Sequence, residues 1–184
     1  GISGAKAIAA GGSHTCAIVA GGVKCWGDDF QGQLGDSGTL GSSAVPVDVV
    51  LGQTALAIAA GDAHTCALLM TVPTVMTGEV ACWGWNYYGQ AGALPYLSNG
   101  AEVVGPTVVP MFPATAIGAG GSDSCAVLAK DVMGIDSVRC WGLSNTQVSA
   151  EIPMPVDELS GATRVAVGGT SSGVGSPTTR CALV

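Results

Sequence analysis

Short runs of Ala, Val, Ile and Leu recur along the whole chain, and glycine, proline or a polar residue closes each run. An amphipathic helix needs apolar residues three and four positions apart over about ten residues or more. Gly-Gly pairs and scattered prolines interrupt every such window, which argues against a helical solenoid. Short apolar runs bounded by Gly and Pro are typical of strands joined by tight turns. The pattern predicts an all-β chain without a run long enough for a membrane-spanning helix.

The pattern of strands and turns also repeats. The segment Ala7–Ile18 recurs as Ala57–Leu68 and as Ala116–Val127, and a fourth copy begins at Val165. Each of the first three copies is followed by Cys-Trp-Gly, then by a turn that is rich in Gly and Gln in the first two copies, and then by a strand that contains Pro. A period near 50 residues suits a repeat architecture. We assign one domain, residues 1–184, with repeats at approximately 11–60, 61–119 and 120–167 and a partial repeat at 168–184.

This order of elements resembles the repeat of the regulator of chromosome condensation family, on residues His14-Thr15-Cys16-Ala17-Ile18, Trp26-Gly27, Gly32-Gln33-Leu34-Gly35 and Val45-Pro46-Val47. The resemblance implies a β-propeller with four-stranded antiparallel blades, here three full repeats and part of a fourth. The third repeat departs from the pattern at two places. Asp123 stands where the His is expected, and Leu143-Ser144-Asn145-Thr146-Gln147 replaces the Gly-Gln-Leu-Gly turn.

The seven cysteines fall at two repeated positions. Cys16 and Cys25 flank Ala20-Gly21, which suits a two-residue hairpin loop. That register makes the two cysteines a non-hydrogen-bonded pair with Cα atoms about 4.5 Å apart, at the short end of the disulfide range of about 4.4–6.8 Å. The same positions in the next two repeats predict Cys66–Cys82 and Cys125–Cys140. Each bridge is worth about 3 kcal/mol in the chain-entropy model, and Cys181 is left unpaired or intermolecular.

A zinc site is the competing interpretation of the repeated His-Thr-Cys. Zinc ligands usually come in close pairs such as Cys-x-x-Cys, and this sequence has none. We therefore expect no metal, and we expect His14 and His64 to hydrogen-bond strand and turn backbone, as the resemblance also implies. Paired disulfides indicate an oxidising compartment, so we expect a secreted or surface-displayed protein.

Charge excludes further classes of function. The formal net charge is −7, and the 6 Lys and Arg residues lie far apart in the sequence. A nucleic-acid site needs clustered cations to neutralise phosphates, so we expect neither nucleic-acid binding nor membrane insertion. We also predict no enzymatic activity and no cofactor. No Gly-x-Ser-x-Gly elbow occurs, the two histidines belong to different repeats, and Asp28, Asp29 and Asp36 lie in a turn where solvated carboxylates are the simplest interpretation.

The aromatic residues separate into two groups. Trp26, Trp83 and Trp141 share one repeat position and are expected to pack between blades. The turn Trp85-Asn86-Tyr87-Tyr88 follows Trp83-Gly84, and loops often carry function. Together with Tyr96, it is our candidate contact surface for a protein or a sugar.

The sequence leaves three functions open. The resemblance implies a protein-interaction module, since family members bind nucleotide-exchange partners and, in a secreted member, a β-lactamase. The alternatives are a structural subunit of a surface layer or extracellular filament and a carbohydrate-binding or inhibitor-type propeller. Closed propellers have about four to eight blades, so we expect either part of a longer propeller chain or a subunit that neighbouring copies complete.

Overall fold

The computed structural model describes residues 1–38, 41–71, 77–92, 102–111, 113–129, 137–143, 149–156, 159, 161–169 and 179–183. All regular secondary structure within these residues is β-strand. The strands are β1 (Ala5–Ala10), β2 (His14–Val19), β3 (Gly22–Asp28), β4 (Ser42–Asp48), β5 (Ala55–Ala60), β6 (His64–Met70), β7 (Gly78–Gly84), β8 (Val103–Val108), β9 (Ala114–Gly120), β10 (Asp123–Leu128), β11 (Val138–Leu143), β12 (Ser149–Val156), β13 (Arg164–Gly168) and β14 (Thr179–Leu183).

Consecutive strands pair antiparallel into the blades of a propeller. Blade 1 is β1–β4, blade 2 is β5–β8 and blade 3 is β9–β12, while the hairpin β13–β14 begins a fourth blade. One bridge between Gly78 and Ala114 connects the sheets of blades 2 and 3. The sheets formed by the described strands do not close into a ring. The prediction of an all-β, incomplete propeller with four-stranded blades is confirmed.

The first hairpin has the predicted two-residue loop. Ala20 and Gly21 have φ values of 52° and 84°, the left-handed pair of a type I′ turn. Cys16 lies opposite Cys25, and their sulfurs are bonded with Cα atoms 4.1 Å apart. The equivalent bonds are Cys66–Cys82 and Cys125–Cys140, also with Cα atoms 4.1 Å apart. The side chain of Cys181 lies outside the described residues.

The Cys-Trp-Gly motif forms the same irregular strand in each blade. The pairing with the outermost strand shifts register between the cysteine and the glycine, so the tryptophan lies at a bulge. The glycine that follows has a φ of 109° at Gly27, 99° at Gly84 and 110° at Gly142. A Cβ at Gly84 would lie 2.6 Å from the carbonyl oxygen of Ala63. Only glycine fits this position, which explains why the motif keeps it.

The hydrophobic core lies between blades. The disulfide face of blade 1, with Ile18 and Val23, packs against the opposite face of blade 2, with Leu69 and Trp83. The next two interfaces repeat this arrangement, with Trp141 in the second and the Cys125–Cys140 bridge in the third. Trp83 and Trp141 are fully buried, so the predicted packing between blades is confirmed for both.

Candidate functional site

The turn that follows the Trp-Gly strand has the same internal hydrogen bonds in blades 1 and 2. In blade 1, the Asp29 carboxylate accepts the Leu34 N–H at 2.8 Å, and Gln33 Oε1 accepts the Gln31 N–H at 2.8 Å. In blade 2, Asn86 and Gln90 occupy the same positions and make the corresponding bonds.

Those blade 2 bonds have equivalent lengths: Asn86 Oδ1 accepts the Ala91 N–H at 2.9 Å, and Gln90 Oε1 accepts the Tyr88 N–H at 2.9 Å. The side chain of Asn86 is 0% exposed, and Asp29 is also buried. The sequence interpretation is therefore wrong for both: Asn86 is not a contact residue, and Asp29 is not a solvated carboxylate. Each side chain is buried because it holds the backbone of its own turn.

The same turns hold neighbouring blades together. The carbonyl oxygen of Gln33 accepts hydrogen bonds from Thr65 Oγ1 and Trp83 Nε1 in blade 2, both at 2.9 Å. The carbonyl oxygen of Gln90 accepts the equivalent bonds from Ser124 and Trp141 in blade 3, both at 2.9 Å. One backbone carbonyl per turn thus anchors a hydroxyl and an indole of the next blade.

The two histidines complete this interface. His14 Nε2 lies 2.8 Å from Thr65 Oγ1, and His64 Nε2 lies 2.9 Å from Ser124 Oγ. Since each hydroxyl donates its proton to a glutamine carbonyl, the histidine Nε2 must carry a proton and donate it. For His14 the expected bond to backbone is wrong in detail, because a hydroxyl from the next blade lies between the ring and the turn carbonyl. His64 has the equivalent contact with a hydroxyl and also a hydrogen bond with the backbone of Asp123, as expected.

Both rings are neutral at physiological pH. Burial lowers the pKa of His14 to about 4 and the pKa of His64 to about 3. Their Nδ1 atoms accept no hydrogen bond. No group of three His, Cys, Asp or Glu side chains in the described part of the chain is arranged to hold a metal ion.

The remaining aromatic residues of the blade 2 turn form a cluster of their own. The rings of Trp85, Tyr87 and Tyr88 pack on one another, with centroids 5.0–6.3 Å apart. Tyr87 is 61% exposed, while Trp85 and Tyr88 are half-buried. Tyr96, the other predicted contact residue, lies outside the described residues.

Sequence reasoning missed one member of this surface. Phe30 takes the position in the blade 1 turn that Tyr87 takes in blade 2, and it is 64% exposed. Aligning Asp28-Asp29-Phe30 with Trp85-Asn86-Tyr87 would have found it. We call Phe30, Trp85, Tyr87 and Tyr88 the aromatic turn surface.

One face of blade 1 has no neighbour among the described residues. Ile58 and Ile117 pack against the preceding blade, whereas the equivalent Ile8 is 68% exposed. Trp26 is half-buried, and no carbonyl of the described residues accepts from its indole as Gln33 accepts from Trp83. The described residues include no turn of a preceding blade against which Trp26 could pack, so the interblade packing expected for Trp26 stays a prediction.

Comparisons with known proteins agree with this architecture. Two sequence models, each described as a regulator of chromosome condensation (RCC1) repeat, match residues 5–33 and 20–68. No curated protein matches the chain. No helix within the described residues is long and apolar enough to cross a bilayer.

Solved structures share the fold. Yeast RCC1 (Prp20), bound to Kap60, is 22% identical with a TM-score of 0.73, over 100% of this chain and 43% of that chain. Human WBSCR16 is 16% identical with a TM-score of 0.71, over 88% of this chain and 42% of that chain. The CRINKLY WD40 ectodomain of the Arabidopsis thaliana receptor kinase ACR4 is 21% identical with a TM-score of 0.50, over 97% and 50%. The chain thus spans less than half the length of the first two.

Proposed function

Because the chain belongs to the RCC1 repeat family of β-propellers, we propose that it is a non-catalytic, extracellular module that binds a protein partner through its aromatic turn surface. The observation that carries the proposal is the exposure of Phe30 and Tyr87 on two turns whose backbones are fixed by buried side chains. Aromatic residues are enriched in protein interfaces and dominate their binding energy.

The internal hydrogen bonds of the two turns favour a binding role over a merely structural one. Asn86 and Gln90 fix the backbone from inside, and the glutamine carbonyl is anchored to blade 3. A ring on such a turn loses little conformational freedom when a partner covers it, which leaves more of the contact energy for affinity. The rings stand on equivalent turns of adjacent blades, so one partner could contact both.

The three disulfides support an extracellular location. Cytosolic proteins of mesophiles are kept reduced, and their disulfides are mostly transient. Here each full blade has its bridge on the face that packs against the following blade, and all six sulfurs are buried. Buried, repeated bridges are structural, which suits a protein that folds in an oxidising compartment.

The state of the histidines supports a non-catalytic role. A general base needs an accessible lone pair close to a substrate and a pKa near the working pH. His14 and His64 are buried, donate from Nε2 to a neighbouring blade, and have pKa values far below 7. We assign them to the interface between blades.

The test is affinity capture of extracellular proteins on the immobilised chain, with Trp85→Ala/Tyr87→Ala and Phe30→Ala as variants. Val50→Ala is the matched control, since Val50 is an equally exposed apolar residue outside the turns. We expect the amount of captured partner to fall at least tenfold in the turn variants and to stay the same in the control. The melting temperature of each variant should be unchanged. Equal capture by all forms contradicts the proposal, and capture of glycans instead of proteins favours the carbohydrate-binding alternative.

A second candidate function, self-assembly, is favoured by the face of blade 1 that no other described residues cover. Its exposed Ile8 and half-buried Trp26 lie where the other blades contact a preceding blade. A second copy that offers a sheet face there would bury this surface, and head-to-tail contacts that do not close would give a filament. Sedimentation velocity over a range of concentrations tests this: Ile8→Lys should reduce association that Val50→Lys leaves intact, and a monomer at all concentrations contradicts it.

A further inference from the structure

One repeat position carries a cation in two of the three blades. The residue before the cysteine of Cys-Trp-Gly is Lys24 in blade 1 and Arg139 in blade 3. In blade 1, the residue opposite on the outermost strand is Asp48, and the Lys24 ammonium forms an ion pair with its carboxylate. In blade 3, the residue opposite Arg139 is Pro155. Blade 3 therefore keeps the cation, and within the described residues no carboxylate pairs with it as Asp48 pairs with Lys24.

The guanidinium of Arg139 is only partly satisfied. Nη1 donates to the carbonyl oxygen of Pro153 at 3.2 Å, while Nε is buried and donates to no group of the described residues. Arginine carries five N–H donors in a planar fork that matches a carboxylate with two parallel bonds. Within the described residues, Lys24–Asp48 is the one ion pair between side chains. A half-buried guanidinium whose Nε is buried without a hydrogen-bond acceptor is a group that an anionic ligand would complete.

A cavity opens at this guanidinium. It has a volume of about 270 Å³ and is lined by Arg139, Pro110, Met111 and Pro153. Among the described lining residues, Pro110, Met111 and Pro153 are apolar and Arg139 supplies the cation. Ligand pockets usually hold about 300–1,000 Å³, so this one suits a small molecule or a single side chain, and a nucleotide or an oligosaccharide is too large for it.

We propose that the Arg139 cavity binds a carboxylate carried on a short apolar body. A carboxylate is preferred to a phosphate dianion because the site has a single positive charge and the protein has a formal net charge of −7. The prolines and Met111 contact the apolar part, and the guanidinium fork fixes the carboxylate. The same chemistry is offered by a free short-chain acid and by a Glu side chain of a docking peptide. This site uses β11 and β12 and does not depend on the aromatic turn surface.

The test is isothermal titration of the intact, oxidised chain with two probes: 4-methylpentanoate as the free acid, and acetyl-Leu-Glu-amide as the peptide carboxylate. The neutral 4-methylpentanamide is the matched probe without charge. We expect saturable binding of at least one acid, at least tenfold tighter than that of the amide. A peptide that binds tenfold tighter than the free acid identifies a protein-docking site, and the reverse order identifies a small-acid site.

Variants localise the binding. Arg139→Gln should lower the affinity for the acid at least tenfold, whereas Arg139→Lys should keep part of that affinity. Arg164→Gln, which removes an exposed cation, is the control and should bind the acid as the wild-type protein does. Thermal melts verify that each variant is folded. If Arg139→Gln does not fold, the wild-type protein still decides, because its affinity for the acid must fall as the pH drops below the carboxyl pKa of about 4.3. Equal affinity for acid and amide, unchanged affinity in Arg139→Gln, or no binding of either acid overturns the proposal.

Discussion

Replacing Thr65 with Val removes one buried hydroxyl while the shape of the side chain is kept. That hydroxyl accepts from His14 Nε2 at 2.8 Å and donates to the carbonyl oxygen of Gln33 at 2.9 Å. The carbonyl keeps its second donor, Trp83 Nε1, so it remains paired. The His14 N–H, in contrast, is left buried without an acceptor. The substitution therefore separates the cost of one unpaired donor from any change in packing volume.

An unpaired buried donor costs about 1–3 kcal/mol, and we expect Thr65→Val to lower the free energy of unfolding by about 2 kcal/mol. At about 2–4 °C per kcal/mol for a domain of this size, the melting temperature should fall by roughly 4–8 °C. Thr15→Val is the matched control, because Thr15 has the same repeat position on the open face of blade 1, where no histidine of a preceding blade reaches it in the described structure. The control should change stability by less than about 0.5 kcal/mol.

Urea unfolding at pH 7 under oxidising conditions measures both variants, with calorimetry as a second readout. If Thr65→Val unfolds with the same free energy as the wild-type protein, the role given to the hydroxyl between blades is refuted. It is also refuted if Thr65→Val and Thr15→Val both lose about 2 kcal/mol, because valine would then be unfavourable at this strand position in either blade.

Three further predictions follow from the same geometry. Burial lowers the pKa of His14 to about 4 and of His64 to about 3 from 6.5, so the unfolded chain binds protons that the folded chain does not. The contribution of the neutral histidines to the free energy of unfolding should be complete above pH 6.5 and should fall toward pH 4 by up to about 1.4 kcal/mol per pH unit for each histidine. Urea titrations at several pH values measure this slope, and His64→Gln should reduce it. Gly84→Ala should cost more than about 3 kcal/mol in melts because its Cβ would meet a carbonyl oxygen at 2.6 Å at a φ of 99°, whereas Gly52→Ala, with open space around it, should be neutral. Non-reducing peptide mapping should recover Cys16–Cys25, Cys66–Cys82 and Cys125–Cys140, and a link from Cys16 to another cysteine would contradict the hairpin register.

Periodicity was sufficient to predict the blades. Because strand residues alternate between two faces, the repeated Cys and Trp positions had to lie on opposite faces, and the two-residue loop at Ala20-Gly21 fixed the register of the first hairpin. These are local consequences of the chain. The repetition of the glycine in Cys-Trp-Gly was visible in the sequence, but its reason, a positive φ in each blade, came only from the structure.

The candidate site was less predictable because its roles depend on contacts between blades. Asn86 and Tyr87 are neighbours in one turn, yet Asn86 is buried as a backbone anchor and Tyr87 is exposed. Single-sequence reasoning treated them alike, since both are polar or bulky residues in a loop. His14 likewise needed the next blade to be in place before its partner, a hydroxyl about 50 residues away in sequence, could be identified.

The exception in the third repeat gives the last prediction. Asp123 takes the histidine position of blade 3 and is fully buried. The hydroxyl position of the fourth repeat belongs to Arg180, since β13 and β14 pair Val167 with Arg180 as β1 and β2 pair Ala10 with Thr15. In the sequence pattern, an acid thus stands at the histidine position of the third repeat and a cation at the hydroxyl position of the fourth. We predict that the two substitutions compensate and that an ion pair replaces the histidine–hydroxyl bond.

A double-mutant cycle measures that compensation. Removing one partner of a buried ion pair costs about 3–5 kcal/mol, because the other charge is left uncompensated. Asp123→Asn and Arg180→Gln should therefore each destabilise the chain strongly, while the double variant should lose no more than the worse single one, which gives a coupling above about 1 kcal/mol. Arg164→Gln, at an exposed cation on β13, should show no coupling to Asp123→Asn. Strictly additive losses at positions 123 and 180 would mean that the paired change in the fourth repeat is a coincidence of sequence and that Asp123 is held by other groups.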